Sequence, residues 1–121
     1  MSAREIMYRD ALREALDHEM GVNPAVFIIG EGIDERGGSY KVTEGLLNKY
    51  GPDRVRDTPI SEASMIGAGV GAAIAGTRPI TEILYIDFAM LGMDQIVNQA
   101  AKFRLMTGDR GSVPFVMRTQ G

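Results

Sequence analysis

The sequence predicts an α/β domain in which helices cover both faces of a parallel sheet, giving three layers. Helical and strand-like segments alternate along the chain, and the strand-like segments are short apolar runs such as residues 26–29. Continuous apolar strands joined by helices are typical of parallel sheets that are buried on both faces. The 121 residues contain no internal repeat or linker, so we expect one domain over residues 1–121.

Residues 8–20 have the pattern of an amphipathic first helix. Apolar side chains recur at every fourth position, and charged side chains occupy the opposite side, where His18 is expected at the surface. The pair Asn23-Pro24 ends this helix, and the apolar run that follows predicts a first strand ending at Gly30.

The middle of the chain predicts two helices around a short strand. A glycine-rich loop over residues 32–39 leads to a short helix, which we expect Thr43 to cap. Residues 55–57 predict the second strand. Residues 61–76 are mostly small, which indicates a helix whose backbone lies close to a neighbouring element.

The last part of the chain predicts a third strand, a long helix and a final strand. The third strand is expected over residues 80–86, after a boundary at Arg78-Pro79. Periodic apolar positions predict a helix over residues 89–106, and residues 113–117 predict the final strand. Because a loop and a helix normally follow such a strand, we expect the chain to be incomplete at its C-terminus.

The composition argues against several classes of function. Thirteen Lys and Arg against sixteen Asp and Glu give a net charge of −3 without a basic block, so no nucleic acid partner is expected. The absence of cysteine excludes a disulfide framework, a thiolate zinc site and a cysteine nucleophile, and with one histidine no metal site is expected. No apolar run approaches the roughly 20 residues that span a bilayer, and no signal peptide is recognisable. We therefore expect no membrane partner and a cytoplasmic or matrix-type location.

Residues 67–72 match a GxGxxA pattern. A dinucleotide-binding fingerprint must lie in the turn between a strand and a helix, and the residues before this one do not predict a strand. We therefore favour close helix packing through Gly67 and Gly71, with a nucleotide-binding module as the alternative. A non-catalytic interaction domain is a further alternative, supported by the small-residue helix and by a polar stripe over residues 94–102.

Two acidic residues follow predicted strands at their carboxyl ends. Glu62 follows the second strand, behind Ser61 at the expected helix start, and Glu31 follows the first strand directly. Sites of α/β proteins lie at this edge, and a carboxylate at that depth is costly unless it is partnered, so both residues are site candidates. The alternatives are ordinary helix capping at Ser61 and Glu62, and an outward-pointing loop side chain at Glu31.

Several long motifs in one order resemble a known family. They are YRDALREAL from Tyr8, GGSYKVTEGL from Gly37, DTPISEA from Asp57, GAAIAG from Gly71, RPI with Glu82, Asp87-Phe88, and DQIVNQAAKFR from Asp94. The chain resembles the β subunits of the thiamine-diphosphate-dependent first component of 2-oxo acid dehydrogenase complexes, of the pyruvate dehydrogenase type. The motifs are specific for this family but not for one substrate.

The resemblance implies a transketolase-like pyrimidine-binding fold and an enzyme that oxidatively decarboxylates pyruvate or a related 2-oxo acid. It implies that Glu62 hydrogen-bonds to N1′ of the cofactor aminopyrimidine and promotes proton removal from thiazolium C2. It also implies an α subunit that holds the diphosphate and Mg²⁺, an α2β2 assembly, and transfer of the acyl group to a lipoyl-bearing acyltransferase. The acetoin and branched-chain 2-oxo acid dehydrogenases share these motifs and remain alternatives.

The same resemblance assigns further site residues. Ile60 and Leu84 would line the pyrimidine pocket, Phe88 would lie against the ring, and Glu31 would stand in a tunnel between two active sites. No residue is expected to ligate metal. Because the family's β subunits continue into a C-terminal domain, we expect the chain to be an N-terminal fragment that is inactive by itself.

Overall fold

The computed structural model describes residues 4–121 and contains the predicted parallel sheet. Its four strands are β1 (Val26–Gly30), β2 (Val55–Asp57), β3 (Arg78–Glu82) and β4 (Val116–Arg118), in the order β2-β1-β3-β4. All three neighbouring pairs are parallel. The sheet therefore has one carboxyl edge, at which all of the strands end.

The helices are connected to the strands as the sequence predicts. They are α1 (Tyr8–Val22), α2 (Leu46–Tyr50), α3 (Glu62–Ile74) and α4 (Ala101–Met106), with 3₁₀ turns at Ser39–Lys41 and Ile86–Gly92 and a π-helical segment at Asp94–Ala100. The predicted first helix is confirmed, and its residue His18 is exposed. No helix within residues 4–121 is long and apolar enough to cross a membrane.

Two core clusters lie on opposite faces of the sheet. The first joins α1 and α2 to β1 and β2; its buried members are Leu16, Met20, Val26, Ile28, Ile33, Val42, Leu46 and Val55. The second joins α3 to the end of β3; its buried members are Met65, Ile66, Val70 and Ile83. Ile80 of β3 packs on the first cluster, whereas the next residue, Thr81, faces α3. Because successive strand side chains point to opposite faces, helices cover both faces and the three-layer prediction is confirmed.

Helix α3 packs closely against the sheet, but not through the glycines that the sequence suggested. The close approach is at Gly69, where an added Cβ would overlap the Thr81 hydroxyl and lie 2.7 Å from the Phe115 ring. Gly67 makes only ordinary contact with Gln95, and Gly71 faces open space. The expectation of a contact through Gly67 and Gly71 is therefore wrong in register, because the face of α3 that meets β3 carries Gly69.

Two local predictions differ from the structure around α2 and β3. Thr43 does not cap α2: Gly45 occupies the cap position, and the buried Thr43 hydroxyl donates to the Ile33 carbonyl at 3.1 Å. The boundary expected at Pro79 lies inside β3, which starts at Arg78 and ends at Glu82. Because the Arg78 N–H points to β1, the alternation of the strand turns the Pro79 nitrogen toward β4, which begins pairing one residue later.

The residues expected to form one helix over 89–106 are helical, but they divide into a 3₁₀ segment, a π-helical segment and an α-helical segment. Gly92, the last residue of the 3₁₀ turns, lies so close to Ile66 of α3 that a Cβ would overlap its side chain. The final strand also starts later than residue 113, because Phe115 N–H donates to the Val113 carbonyl at 2.8 Å and closes a tight turn around Pro114.

We expect Gly69→Ala to lower the free energy of unfolding by about 1–3 kcal/mol, because the added methyl overfills the contact between α3 and β3. Gly71→Ala is the matched control, since nothing lies within 4 Å of an added Cβ there. Removing a glycine from an exposed helix position should raise the stability by up to about 1 kcal/mol. Urea unfolding followed by circular dichroism measures both changes, and shifts of the same sign and size would contradict the packing described here.

Candidate functional site

The carboxyl edge of the sheet carries the candidate site. The chain runs from β1 outward to β2 and then crosses back to β3 on the other side of β1. In open α/β sheets this reversal leaves a crevice between the two central strands, and ligands bind there. In this protein the crevice lies beyond the ends of β1 and β3.

Gly30 ends β1 at the centre of this edge. It pairs in register with Asp57 on one side and with Glu82 on the other. An added Cβ at Gly30 would lie 2.8 Å from the Glu82 carbonyl oxygen, so only glycine fits. The Gly30 carbonyl also accepts a hydrogen bond from Thr58 N–H at 2.9 Å, which turns the chain after β2 back over the edge.

Glu82 is a buried carboxylate at the end of β3, with 1% of its surface exposed. One carboxylate oxygen accepts a hydrogen bond from Ser39 N–H at 3.1 Å. The other oxygen forms an ion pair with Arg118, its neighbour in register at the end of β4. Neither Glu82 nor Arg118 was among the site residues expected from the sequence. Arg118 directly follows the apolar run over residues 113–117, which is the signal that identified Glu31, whereas Glu82 fell inside the strand expected over residues 80–86.

Asp57 holds the other side of the loop that follows β1. One of its carboxylate oxygens accepts from Ile33 N–H at 3.0 Å, and the other pairs with Arg36 at 3.1 Å. Arg36 also bonds Asp34, and the Arg36 backbone N–H holds the pKa of the Asp34 carboxyl below its ordinary value. The glycine-rich loop is therefore tied to the ends of both β2 and β3.

Glu62 is the first residue of α3, as the sequence predicts, and 7% of its surface is exposed. Its carboxylate has no hydrogen bond or ion pair with another residue between 4 and 121. Ser61 stands at the N-cap position, but its side chain makes no capping bond. Glu62 thus lies at the positive end of a helix dipole with its carboxylate free to accept a partner from outside the described chain.

The other predicted site residues lie on segments that leave the same edge. Ile60, before α3, is 70% exposed, and Phe88, in the turns after β3, is 41% exposed with its ring edge-on to Tyr85 at 6.2 Å between centroids. Leu84 and Glu31 are half-buried. The five predicted residues follow three neighbouring strands and share one edge, but within the described residues no hydrogen bond or ion pair joins any two of them.

A cavity of about 560 Å³ lies near this edge but away from the predicted residues. It is lined by Tyr8, Arg9, Leu12, Tyr40, Val42, Arg118, Thr119, Gln120 and Gly121. Across residues 4–121, no group of three or more His, Cys, Asp or Glu side chains is arranged to hold a metal ion. The chemistry that the predicted site residues can supply is therefore that of a carboxylate on a buried residue, Glu62, near the exposed apolar side chains of Ile60 and Phe88.

The GxGxxA pattern lies in helix α3. Residues 67–72 lie inside α3, more than one turn after its start at Glu62. A pyrophosphate-binding fingerprint needs these glycines in the turn between a strand and a helix. The preference for helix packing over nucleotide binding is consistent with this placement.

Comparison with known proteins gives one family and a group of similar relatives. Residues 4–121 match the family described as "Transketolase, pyrimidine binding domain". The "Pyruvate dehydrogenase E1 component subunit beta-1, mitochondrial" of Oryza sativa subsp. japonica is 50% identical over 117 residues, which are 97% of this chain and 31% of that protein. The "Pyruvate dehydrogenase E1 component subunit beta" of Rickettsia bellii is 50% identical over 114 residues, which are 94% of this chain and 35% of that protein.

Relatives from different organisms have nearly the same identity to this chain. The mitochondrial counterpart from Dictyostelium discoideum is 48% identical over 117 residues, or 97% of this chain and 33% of that protein. The chain thus spans about a third of the length of the curated relatives it matches. Because the family match extends over residues 4–121, the chain belongs to the transketolase pyrimidine-binding domain family.

Proposed function

We propose that the chain forms the pyrimidine-binding part of the β subunit of a thiamine-diphosphate-dependent pyruvate dehydrogenase. The complete enzyme would oxidatively decarboxylate pyruvate and pass the acyl group to lipoamide. The observation that carries this proposal is Glu62, a residue that is buried at the sheet edge and whose carboxylate has no partner among residues 4–121. The names of the relatives, together with the family, support the choice of reaction.

The surroundings of Glu62 fit an aminopyrimidine ring. A buried carboxyl is costly without a hydrogen-bonding partner, and a ring nitrogen of the cofactor would provide one. Phe88 and Ile60 keep large apolar surfaces exposed near the same edge, and these surfaces suit the faces of a planar ring. We assign Glu62 to the ring nitrogen N1′, Phe88 to the ring face, and Ile60 and Leu84 to the pocket wall.

When bound, thiamine diphosphate supplies the carbon nucleophile that adds to the 2-oxo group. The contribution of this chain is to hold the aminopyrimidine and its protonation state through Glu62. A hydrogen bond to a carboxyl is strong where water is excluded, which is the setting that the burial of Glu62 provides. Glu31, directly after β1, is the second carboxyl that we place toward the interior of the assembled enzyme.

The proposed partners follow from the same family. We propose an α subunit that supplies the diphosphate and Mg²⁺ site and assembles with this chain as α2β2, and a lipoyl-bearing acyltransferase that receives the acyl group. The exposed apolar side chains of the turns after β3 support a protein partner at this edge: Tyr85, Ile86, Phe88, Met90 and Leu91. The site would operate in the cytoplasm of a bacterium or in the mitochondrial matrix.

We expect Glu62→Gln in the assembled enzyme to bind thiamine diphosphate but to slow exchange of the cofactor C2 proton by roughly a hundredfold or more. The reason is that the variant loses a hydrogen bond whose strength follows the charge on the ring, which is worth a few kcal/mol. NMR of quenched exchange reactions in deuterated water measures the rate.

The matched control is Glu19→Gln, which removes the same charge from an exposed position on α1. This control should exchange the C2 proton at the parent rate. Exchange by Glu62→Gln within about twofold of the parent would contradict the assignment of Glu62.

We also expect the isolated chain of 121 residues to show no turnover. Residues 4–121 provide no metal-ligating cluster, and in the proposed enzyme the diphosphate is bound by the α subunit. The assay contains pyruvate, thiamine diphosphate, Mg²⁺ and an electron acceptor. Saturable decarboxylation by the isolated chain would show that the site is not shared between subunits, and acetoin and branched-chain 2-oxo acids offered to the assembled enzyme distinguish the alternative substrates.

A further inference from the structure

We propose that Glu82, paired with Arg118, is a positioning residue that fixes the loop over residues 31–41 on the carboxyl edge and thereby fixes Glu31. The inference rests on the proposed function only in giving Glu31 a role in the assembled enzyme. The contacts that hold the loop are independent of that role.

Glu82 and Arg118 form a pair at the carboxyl edge of the sheet. Glu82 and Arg118 are the last residues of two adjacent strands, and both are largely withdrawn from water. A buried carboxylate is tolerated where a cation and hydrogen-bond donors compensate it. Arg118 is the cation, and Ser39 N–H is the donor, so the same carboxylate contacts β4 on one side and the loop on the other.

The loop over residues 31–41 approaches the Glu82 carboxylate closely at Gly38. Gly38 has a φ of +68°, and a Cβ there would lie 3.0 Å from a carboxylate oxygen of Glu82 and 2.7 Å from the Thr43 hydroxyl. The loop therefore presses its backbone directly against the carboxylate, and a side chain at Gly38 would push it away. Ser39 N–H follows at once and donates to that oxygen.

Hydrogen bonds within the loop link the position of Ser39 to that of Glu31. Gly38 N–H donates to the Gly32 carbonyl at 2.8 Å, and Thr43 N–H donates to the Gly37 carbonyl at 2.9 Å. The residue that Gly38 contacts is thus the one that follows Glu31. Asp57 holds the loop from the β2 side, Ile33 is buried in the first core cluster, and Arg13 donates to the Lys41 carbonyl. Removing the Glu82 contact therefore releases the part of the loop around Gly38 and Ser39 that faces β3.

Ser39→Pro tests the contact by removing the N–H that Glu82 accepts. Ser39 is the first residue of a 3₁₀ turn, and Gly38 before it has an extended ψ of −178°, so proline suits this position. Ser39→Ala is the matched control, because it keeps the N–H and removes a hydroxyl that has no hydrogen-bond partner among the described residues.

The readout is amide hydrogen exchange of the full chain, resolved by NMR. For Ser39→Pro we expect exchange at Gly38 and Thr43 to be on the order of tenfold to a hundredfold faster, with Ile28 of β1 unchanged. Ser39→Ala should match the parent at all three amides. Parent-like exchange of the loop amides in Ser39→Pro, or equal acceleration at Ile28, would overturn the proposal.

The parent chain gives a second measurement if Ser39→Pro does not fold. The Ser39 amide should exchange at least about tenfold more slowly than the amide of Glu35, an exposed residue of the same loop whose N–H has no hydrogen-bond partner within residues 4–121. Equal exchange at the two amides would overturn the contact with Glu82.

The link to Glu31 is tested in the assembled enzyme by a double-mutant cycle. If the loop acts through Glu31, Ser39→Pro should lower kcat in the parent background and have no further effect in Glu31→Gln. Additive losses, or parent activity in Glu31→Gln, would overturn the link. Failure of the proposed function would appear separately, as absence of thiamine-diphosphate-dependent turnover in the parent assembly while the exchange result stands.

Discussion

The buried carboxylate of Glu82 is the group around which the functional edge of the sheet is arranged. It meets Arg118 from β4, the backbone of Ser39 from the loop, and Gly30 from β1 at its own strand position. The Glu82 carboxylate contacts Arg118 and Ser39, and the Glu82 backbone limits the space at Gly30. Two glycines lie where a side chain would collide with Glu82: a Cβ at Gly30 would meet its backbone carbonyl and Cβ, and a Cβ at Gly38 would meet its carboxylate.

Glu62 and Glu82 are both buried at this edge, but their surroundings assign them different tasks. Glu82 has a cation and a backbone donor within its own chain, so its charge is compensated and its carboxylate holds structure together. Glu62 has neither among residues 4–121, and only the N-terminus of α3 favours its charge. A compensated carboxylate has little capacity left for a ligand, whereas an uncompensated one gains from binding a group that donates or shares a proton.

The sequence was sufficient for the order of helices and strands, the parallel sheet and the edge on which Glu31 and Glu62 lie, because apolar periodicity and strand ends are local signals. It was not sufficient for contacts between distant segments. Thr43 has the residue type of a helix cap, yet its hydroxyl donates a hydrogen bond to the Ile33 carbonyl across the loop. The pairing of Glu82 with Arg118 depends on the register of β3 and β4, which no local pattern specifies.

The burial of Glu62 depends in turn on how closely α3 approaches the sheet. Its buried residues recur at helical spacing, and the face that begins with Glu62 continues through Ile66 to Gly69. At Gly69 the helix backbone lies against Thr81, and Ile66 fits against Gly92, so both contacts use the absence of a side chain to bring the elements together. A wider separation would expose the same face to water and weaken any hydrogen bond that Glu62 makes. The small residues of α3 therefore affect the site by allowing a short distance between the helix and the sheet, which keeps Glu62 buried, although none of them needs to touch a ligand.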